Sequence, residues 1–313
     1  MYTVNAPEFS RNYGFWNEQE QQDLLDARVA IAGVGGDGFQ LGITLAEMGV
    51  SRFSIADPEV FERENKNRVP GAVDSTLQRK KARVFLEQVL DKNPHAELTV
   101  FEEGINADNI EAFMEGATVA FDETELTKLE LGTMVAREAR RRGIPNVLVM
   151  NIGFAATVTT FDPEGPTFED MMGIPEGMPL EEVAKLELDL ARAVPYIPSY
   201  VDLETFKEVA AGGASLPSIA PGVNQAVAIG STQAFLNIVG GRNHRPEPVK
   251  APKVAYSDPY TMDAGVISFP RASHVRRATT MAVRSRLGIN PKASYGAEDR
   301  ARREEAYAAE QAA

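Results

Sequence analysis

Residues 28–59, RVAIAGVGGDGFQLGITLAEMGVSRFSIADPE, constrain this chain more than any other stretch. A short apolar run, a glycine-rich turn, a helical pattern and a second apolar run ending in acid make one strand–turn–helix–strand unit. Gly33, Gly35 and Gly38 satisfy the G-x-G-x-x-G spacing. The first glycine permits the turn, the second lets the backbone approach a phosphate, and the third lets helix and strand pack closely. Asp57 closes the second strand about twenty residues further on, where a carboxylate accepts hydrogen bonds from ribose hydroxyls. Asp37 is out of keeping, because it lies in the turn where phosphates would gather. It is compatible with a triphosphate only if it points toward the free amides of the helix N-terminus, which a carboxylate caps well.

The rest of the chain repeats the alternation. Further strands are predicted at 97–101, 118–121 and 146–151, and helices at 38–48, 75–90, 106–114 and 126–142. Strand and helix alternating with short turns predict an α/β fold of the Rossmann-like, doubly wound type, a mostly parallel sheet covered on both faces. From Thr157 the pattern TVTTFDP predicts an antiparallel extension. The expected organisation is an N-terminal arm and helix (1–27), a nucleotide-binding domain (28–161), a lid or substrate insertion (162–213), a returning core helix (214–241) and a C-terminal extension (242–313). The insertion is punctuated by DPEGP, IPEGMP, YIPSY and AAGGAS, with one helix expected over 180–193. Another is expected over 225–239. The extension opens with Pro-rich turns and closes in a charged, Ala-rich helix.

Composition removes several classes of function. The chain has 313 residues, 43% of them hydrophobic, and no cysteine, so disulfides, thiolate zinc sites and cysteine nucleophiles are excluded together. Three scattered histidines argue against a transition-metal site. A net charge of -13 argues against nucleic acid as a partner, since phosphate backbones require a positive surface. No apolar run reaches the length of a membrane span, and no secretory signal pattern opens the chain, so a cytoplasmic location is expected.

The segment after Asp57 separates ATP from NAD. DPEVFERENKNRV carries Asn65, Asn67 and Arg68, and Lys81 follows in QRKKARVF. Each alone is an ordinary surface residue. Together they supply the cations and amide donors that clamp a triphosphate. A dehydrogenase does not need them, so an NAD-dependent oxidoreductase is the weaker alternative; a non-catalytic nucleotide-binding or scaffold subunit is the other.

On these residues the chain resembles the ubiquitin-activating/ThiF-type adenylyltransferase superfamily. The resemblance rests on the loop Gly33, Gly35, Gly36 and Gly38, on Asp57 with Glu59, on Asn65 with Arg68, on Lys81, and on the strand end Asp122–Glu125. It also takes in Arg11 and the helix GVNQAVAIGSTQAFLNIVGG, and so runs from about Ser10 to Gly241. It implies adenylation of a carboxylate by ATP with Mg²⁺ in a homodimer. Asp57 would hold the ribose, Asn65, Arg68 and Lys81 the phosphates, Glu125 or Asp122 the metal, and Arg11 would reach the partner subunit's ATP. Three departures stand out: Glu125 in place of aspartate, Val69 in place of glutamine, and Asp37 in the loop. Without cysteine, the activated acyl group must pass directly to another nucleophile, with a peptide or amino-acid-like small molecule as substrate. Asn151 and Phe154 are expected to contact that substrate, Glu123 and Glu130 to be solvated, and the aromatics Tyr13, Phe15 and Trp16 to form a docking arm.

Overall fold

The computed structural model describes residues 2–201, 216–268 and 297–312, together with 205, 209, 283–284 and 286–288. The glycine-turn unit forms as β1 (Arg28–Ala32), α2 (Gly36–Met48) and β2 (Arg52–Ala56), preceded by α1 (Glu18–Asp26). Then come α3 (Lys81–Lys92), β3 (Glu97–Phe101), α4 (Ile110–Phe113), β4 (Val119–Asp122), α5 (Leu129–Arg141), β5 (Asn146–Ile152) and β6 (Ala155–Phe161). Short helices α6 (Phe168–Met172), α7 (Leu180–Val183) and α8 (Leu190–Ala193) precede the long α9 (Ala220–Val239), followed by β7 (Lys253–Asp258), β8 (Asp263–Ser268) and α10 (Ala297–Ala312).

The eight strands form one sheet in the order β3-β2-β1-β4-β5-β6-β7-β8. The first five are parallel, and β5 to β8 are joined antiparallel. Strand alternation divides the core. Val29 and Ile31 of β1 point into a large cluster with Phe39, Phe53 and Phe85, closed by Val223 and Leu236 of α9. Ala30 and Ala32 point the other way, under Phe113 of α4 and Val135 of α5. Both faces are thus covered, which is why the strands read as nearly continuous apolar runs. Strand order reverses between β1 and β4, and ligands of such sheets bind at the carboxyl ends of the strands there.

Several local expectations are corrected. The helix expected over 180–193 is two short pieces, Leu180–Val183 and Leu190–Ala193, and residues 184–187 between them are exposed. The exposed residues between the two pieces bury no face that one continuous helix could pack against the core. The helix expected at 75–90 starts at Lys81, after a 3-10 turn and a left-handed Gln78 (φ 64°). The helix at 106–114 shrinks to Ile110–Phe113. The β7–β8 hairpin was not foreseen. It extends the sheet with half-exposed strands whose polar pattern reads as loop. The AAGGAS stretch at 210–215 and most of residues 271–303 lie outside the described residues.

Met1–Leu186 with Ser218–Phe269 form one compact unit, and Glu187–Pro217 with Pro270–Ala313 a second. All the geometry below belongs to the first. Within the second, α10 is exposed along 301–311.

The N-terminal arm is folded onto its own chain. Phe9 is buried, Trp16 packs on Phe235 of α9 with ring centroids 5.3 Å apart, and only Phe15 stands out in solvent. Asn12 donates to Gln21 Oε1 at 3.0 Å, and Gln21 Nε2 donates to Met48 O at 2.9 Å, so the arm is pinned at the C-terminal end of α2.

Candidate functional site

The glycine turn is built from its own sterics. Gly33 has φ 101°, and a Cβ there would lie 2.2 Å from the carbonyl oxygen of Glu123. A Cβ on Gly38 would lie 2.1 Å from Gly33 O. These two glycines are required by the packing of turn, helix and the loop after β4. Gly35 differs: a Cβ there would meet nothing within 4 Å. No protein contact demands a glycine at that position.

Asp57 sits at the end of β2, buried, and fastens the turn. Its Oδ2 accepts from Val34 N and its Oδ1 from Glu59 N, both at 2.8 Å. Burial pushes its carboxyl above the ordinary range, against the opposing pull of Lys81 and the two amides. Lys81, at the first turn of α3, is buried along its side chain and pairs with Glu59 Oε2 at 2.5 Å. Burial pushes Glu59 up, but the bond and charge of Lys81, with Lys128 and Arg68 further off, outweigh it and hold Glu59 low.

Arg68 follows the 3-10 helix Arg63–Asn67, and its side chain lies beside Gly36. Its Nη1 donates to Glu64 O at 3.0 Å and to Asn67 Oδ1 at 2.9 Å. Asn65 is buried with its Oδ1 accepting from Glu62 N at 3.0 Å, so its carbonyl serves the local turn. Val69, the departure from glutamine, is part of the core.

From Arg68 a hydrogen-bonded chain crosses to the sheet. Asn67 Nδ2 donates to Ser218 O at 3.0 Å, Ser218 Oγ donates to Asn151 Oδ1 at 2.9 Å, and Asn151 Nδ2 donates to both Asp37 oxygens at 3.0 and 2.8 Å. This answers the question that Asp37 raised, differently from the expectation. Its carboxylate is taken by the side chain at the end of β5 instead of the helix amides. Burial, opposed by the Asn151 bonds and the Arg68 charge, pushes its carboxyl up to about 7. Phe154 stacks on Tyr260 at 5.1 Å.

The acids after β4 divide. Asp122 is buried, with Oδ1 accepting from Thr124 N and Oγ1 at 3.1 and 2.6 Å and Oδ2 facing Gly132. Burial pushes its carboxyl up, against the Thr124 bonds. Glu123, expected in solvent, turns its side chain inward against Gly38, and its Oε1 is buried without a partner. Burial, then the nearby charges of Asp37 and Asp122, push it well above the ordinary range. The chain's turn from β4 to α5 presses it there, which no local pattern announces. Glu125 is exposed, 3.5 Å from Lys128. Among the described residues no group of three or more His, Cys, Asp or Glu is arranged to hold a metal ion.

Arg11 is exposed at the opposite end of α2 from the glycine turn, since its neighbour Asn12 is tied through Gln21 to Met48. A helix of 13 residues is about 20 Å long, so Arg11 is far from its own chain's turn. The sequence reading missed Lys128, Ser218 and the Asn151–Asp37 bond. A lysine before a helix and a serine after an insertion carry no motif.

The model of the ThiF family matches residues 9–274. The SAMP-activating enzyme E1 of Haloferax volcanii is 28% identical over 148 residues, 47% of this chain and 54% of that protein. The sulfur carrier protein ThiS adenylyltransferase of Escherichia coli is 29% identical over 105 residues, 34% of this chain and 42% of that protein. The tRNA threonylcarbamoyladenosine dehydratase of Bacillus subtilis is 28% identical over 149 residues, 47% of this chain and 57% of that protein. The matches with these three thus span about half the length of each. Among solved structures, E. coli MccB with ATP superposes with a TM-score of 0.63 at 16% identity, covering 87% of this chain and 74% of that one.

Proposed function

Because the chain belongs to the ThiF family, we propose that it is an ATP-dependent adenylyltransferase that activates a carboxylate. The observation that carries this is the surroundings of the glycine turn beside the reversal of strand order: Arg68 lies against Gly36, and Lys81 pairs with Glu59, whose amide donates to the same Asp57 that holds Val34. Two cations from different segments thus flank the turn. In adenylation a carboxylate oxygen attacks the α-phosphorus and pyrophosphate leaves with the bonding pair. The protein's task is to hold the triphosphate in line and to neutralise charge as it moves to the leaving group.

The roles follow from placement. Asp57 holds the turn by Val34 and retains oxygen lone pairs for the ribose hydroxyls. Gly33 to Gly38 present amides to the phosphates, and Arg68 and Lys81 clamp them, Lys81 exchanging Glu59 for phosphate. Asn65 fixes the 3-10 turn that carries Arg68 and offers its amide nitrogen. Mg²⁺, when bound, would neutralise phosphate oxygens. Glu125 fits that ion as an exposed carboxylate, as Mg²⁺ binds through one or two carboxylates plus phosphate. Asp122, closed by Thr124 and Gly132, orients the strand end.

MccB has been crystallised with ATP and with MccA, which supports an acyl substrate beside the nucleotide. For this chain we assign a peptide or amino-acid-like carboxylate, with Asn151 facing it. The absence of cysteine sends the acyl group to an amine or amide without a thioester on this chain. We place the enzyme in the cytoplasm as a homodimer. No described helix is long and apolar enough to cross a membrane.

The test is isotope exchange between pyrophosphate and ATP, run on the full chain with a panel of amino acids and short peptides. Carboxylate-dependent exchange is expected. Absence of exchange across the panel, together with thermal stabilisation by NAD and none by ATP, would overturn the assignment.

A further inference from the structure

Resting on the adenylyltransferase reading, we propose that Lys128 is a third phosphate-binding cation of this site, which leaves Glu125 to take the outer phosphates of the bound triphosphate. Lys128 is the residue before α5, in the loop that leaves β4. That loop lies against the glycine turn, since Glu123 O is where a Cβ of Gly33 would go. Strands β1 and β4 are neighbours, so the loop forms one wall of the crevice and the glycine turn the other.

Charge places Lys128 among the clamp residues. Glu59 is held low by Lys81, Lys128 and Arg68, three cations from three segments acting on one carboxylate. Each lysine has a carboxylate partner, Lys81 with Glu59 at 2.5 Å and Lys128 with Glu125 at 3.5 Å. The second pair is long and half exposed, with side chains 51% and 53% accessible. Surface pairs of that kind hold weakly and give way to a more highly charged partner. A triphosphate brings more negative charge than Arg68 and Lys81 alone offset, and Lys128 is the remaining cation felt at Glu59.

The experiment is calorimetric titration of the full chain with ATP, ADP and AMP at fixed ionic strength. Lys128→Ala should weaken ATP roughly tenfold, the worth of one charge-assisted hydrogen bond, and leave AMP within about twofold. Lys128→Arg should bind ATP nearly as the parent does. Lys92→Ala, which removes a lysine paired with Glu47, serves as the surface control and should change nothing. If Lys128→Ala binds ATP normally while Arg68→Ala does not, Lys128 is a surface charge and the adenylyltransferase reading stands. Equal losses for ATP and AMP would also overturn the proposal, because the phosphates would not be its target. A parent protein that binds none of the three would overturn both.

Discussion

At the scale of single residues, the proposed site is a set of ion pairs and buried acids. Asp57 bonds two backbone amides. Asp57→Ala should therefore lose ATP binding by calorimetry and also lower the melting temperature, because removing one partner leaves buried donors unsatisfied. Lys81→Ala and Arg68→Ala should each slow pyrophosphate exchange by on the order of a hundredfold, with smaller effects on ATP affinity. Normal turnover in both would remove them from the phosphate clamp. Asp37 makes a pH prediction. Its carboxyl is pushed up to about 7 in the folded protein, so folding favours its protonated form. That contribution is complete below the unfolded carboxylate range and is lost as pH rises toward 7. Asp37→Asn should thus melt several degrees above the parent at pH 8, with the gap closing toward pH 5. A constant gap across that range would show that Asp37 is not the titrating group. Glu123 and Arg68 act on the same carboxylate, and a companion Arg68→Ala profile separates the latter's share.

At the scale of elements, the turn and α2 separate structural from functional glycines. Gly38→Ala would put a methyl 2.1 Å from Gly33 O, so backbone must move and the protein should lose several kcal/mol or fail to fold. Gly35→Ala meets no atom within 4 Å and should melt close to the parent, yet lose ATP affinity on calorimetric titration. Retained affinity would mean that the turn does not touch phosphate. The elements themselves were legible where their periodicity was strong. Strands β1 and β2 run over the expected residues, because four of the five residues in each are buried in the sheet, and β3 also matches although its residues are exposed or half-exposed at the sheet edge. The insertion was harder to read. Its helices are only four or five residues long, too short for a period-3.6 stripe to develop, whether they bury Val183 alone or Phe168, Met171 and Met172.

At the scale of the whole molecule, Arg11 supplies the test of assembly. The arm that carries it is pinned to the far end of α2, about 20 Å from its own turn, so Arg11 can serve a nucleotide only across a subunit boundary. A two-fold dimer would bring each arm to the equivalent site of its partner. Arg11→Ala and Lys81→Ala proteins, each weak alone, should regain up to half the parent's activity per mixed dimer, since one of its two sites carries neither defect. No recovery despite proven subunit exchange would remove Arg11 from the site.

The sequence by itself determined the glycine turn, the acid at the end of β2, the cations that follow and the absence of a thiol, because each depends on residue type at short spacing. Tertiary structure decided which charges meet. Asp37 finds Asn151 across 114 positions, and Ser218 bridges Asn151 to Asn67 after the insertion. Glu123 is turned inward by the close approach of the β4 loop to Gly33. A side chain's partner and its burial are set by elements distant in the chain, and electrostatics depends on both. That is why the identity of the site residues could be read along the sequence while their ionisation, pairing and orientation could not.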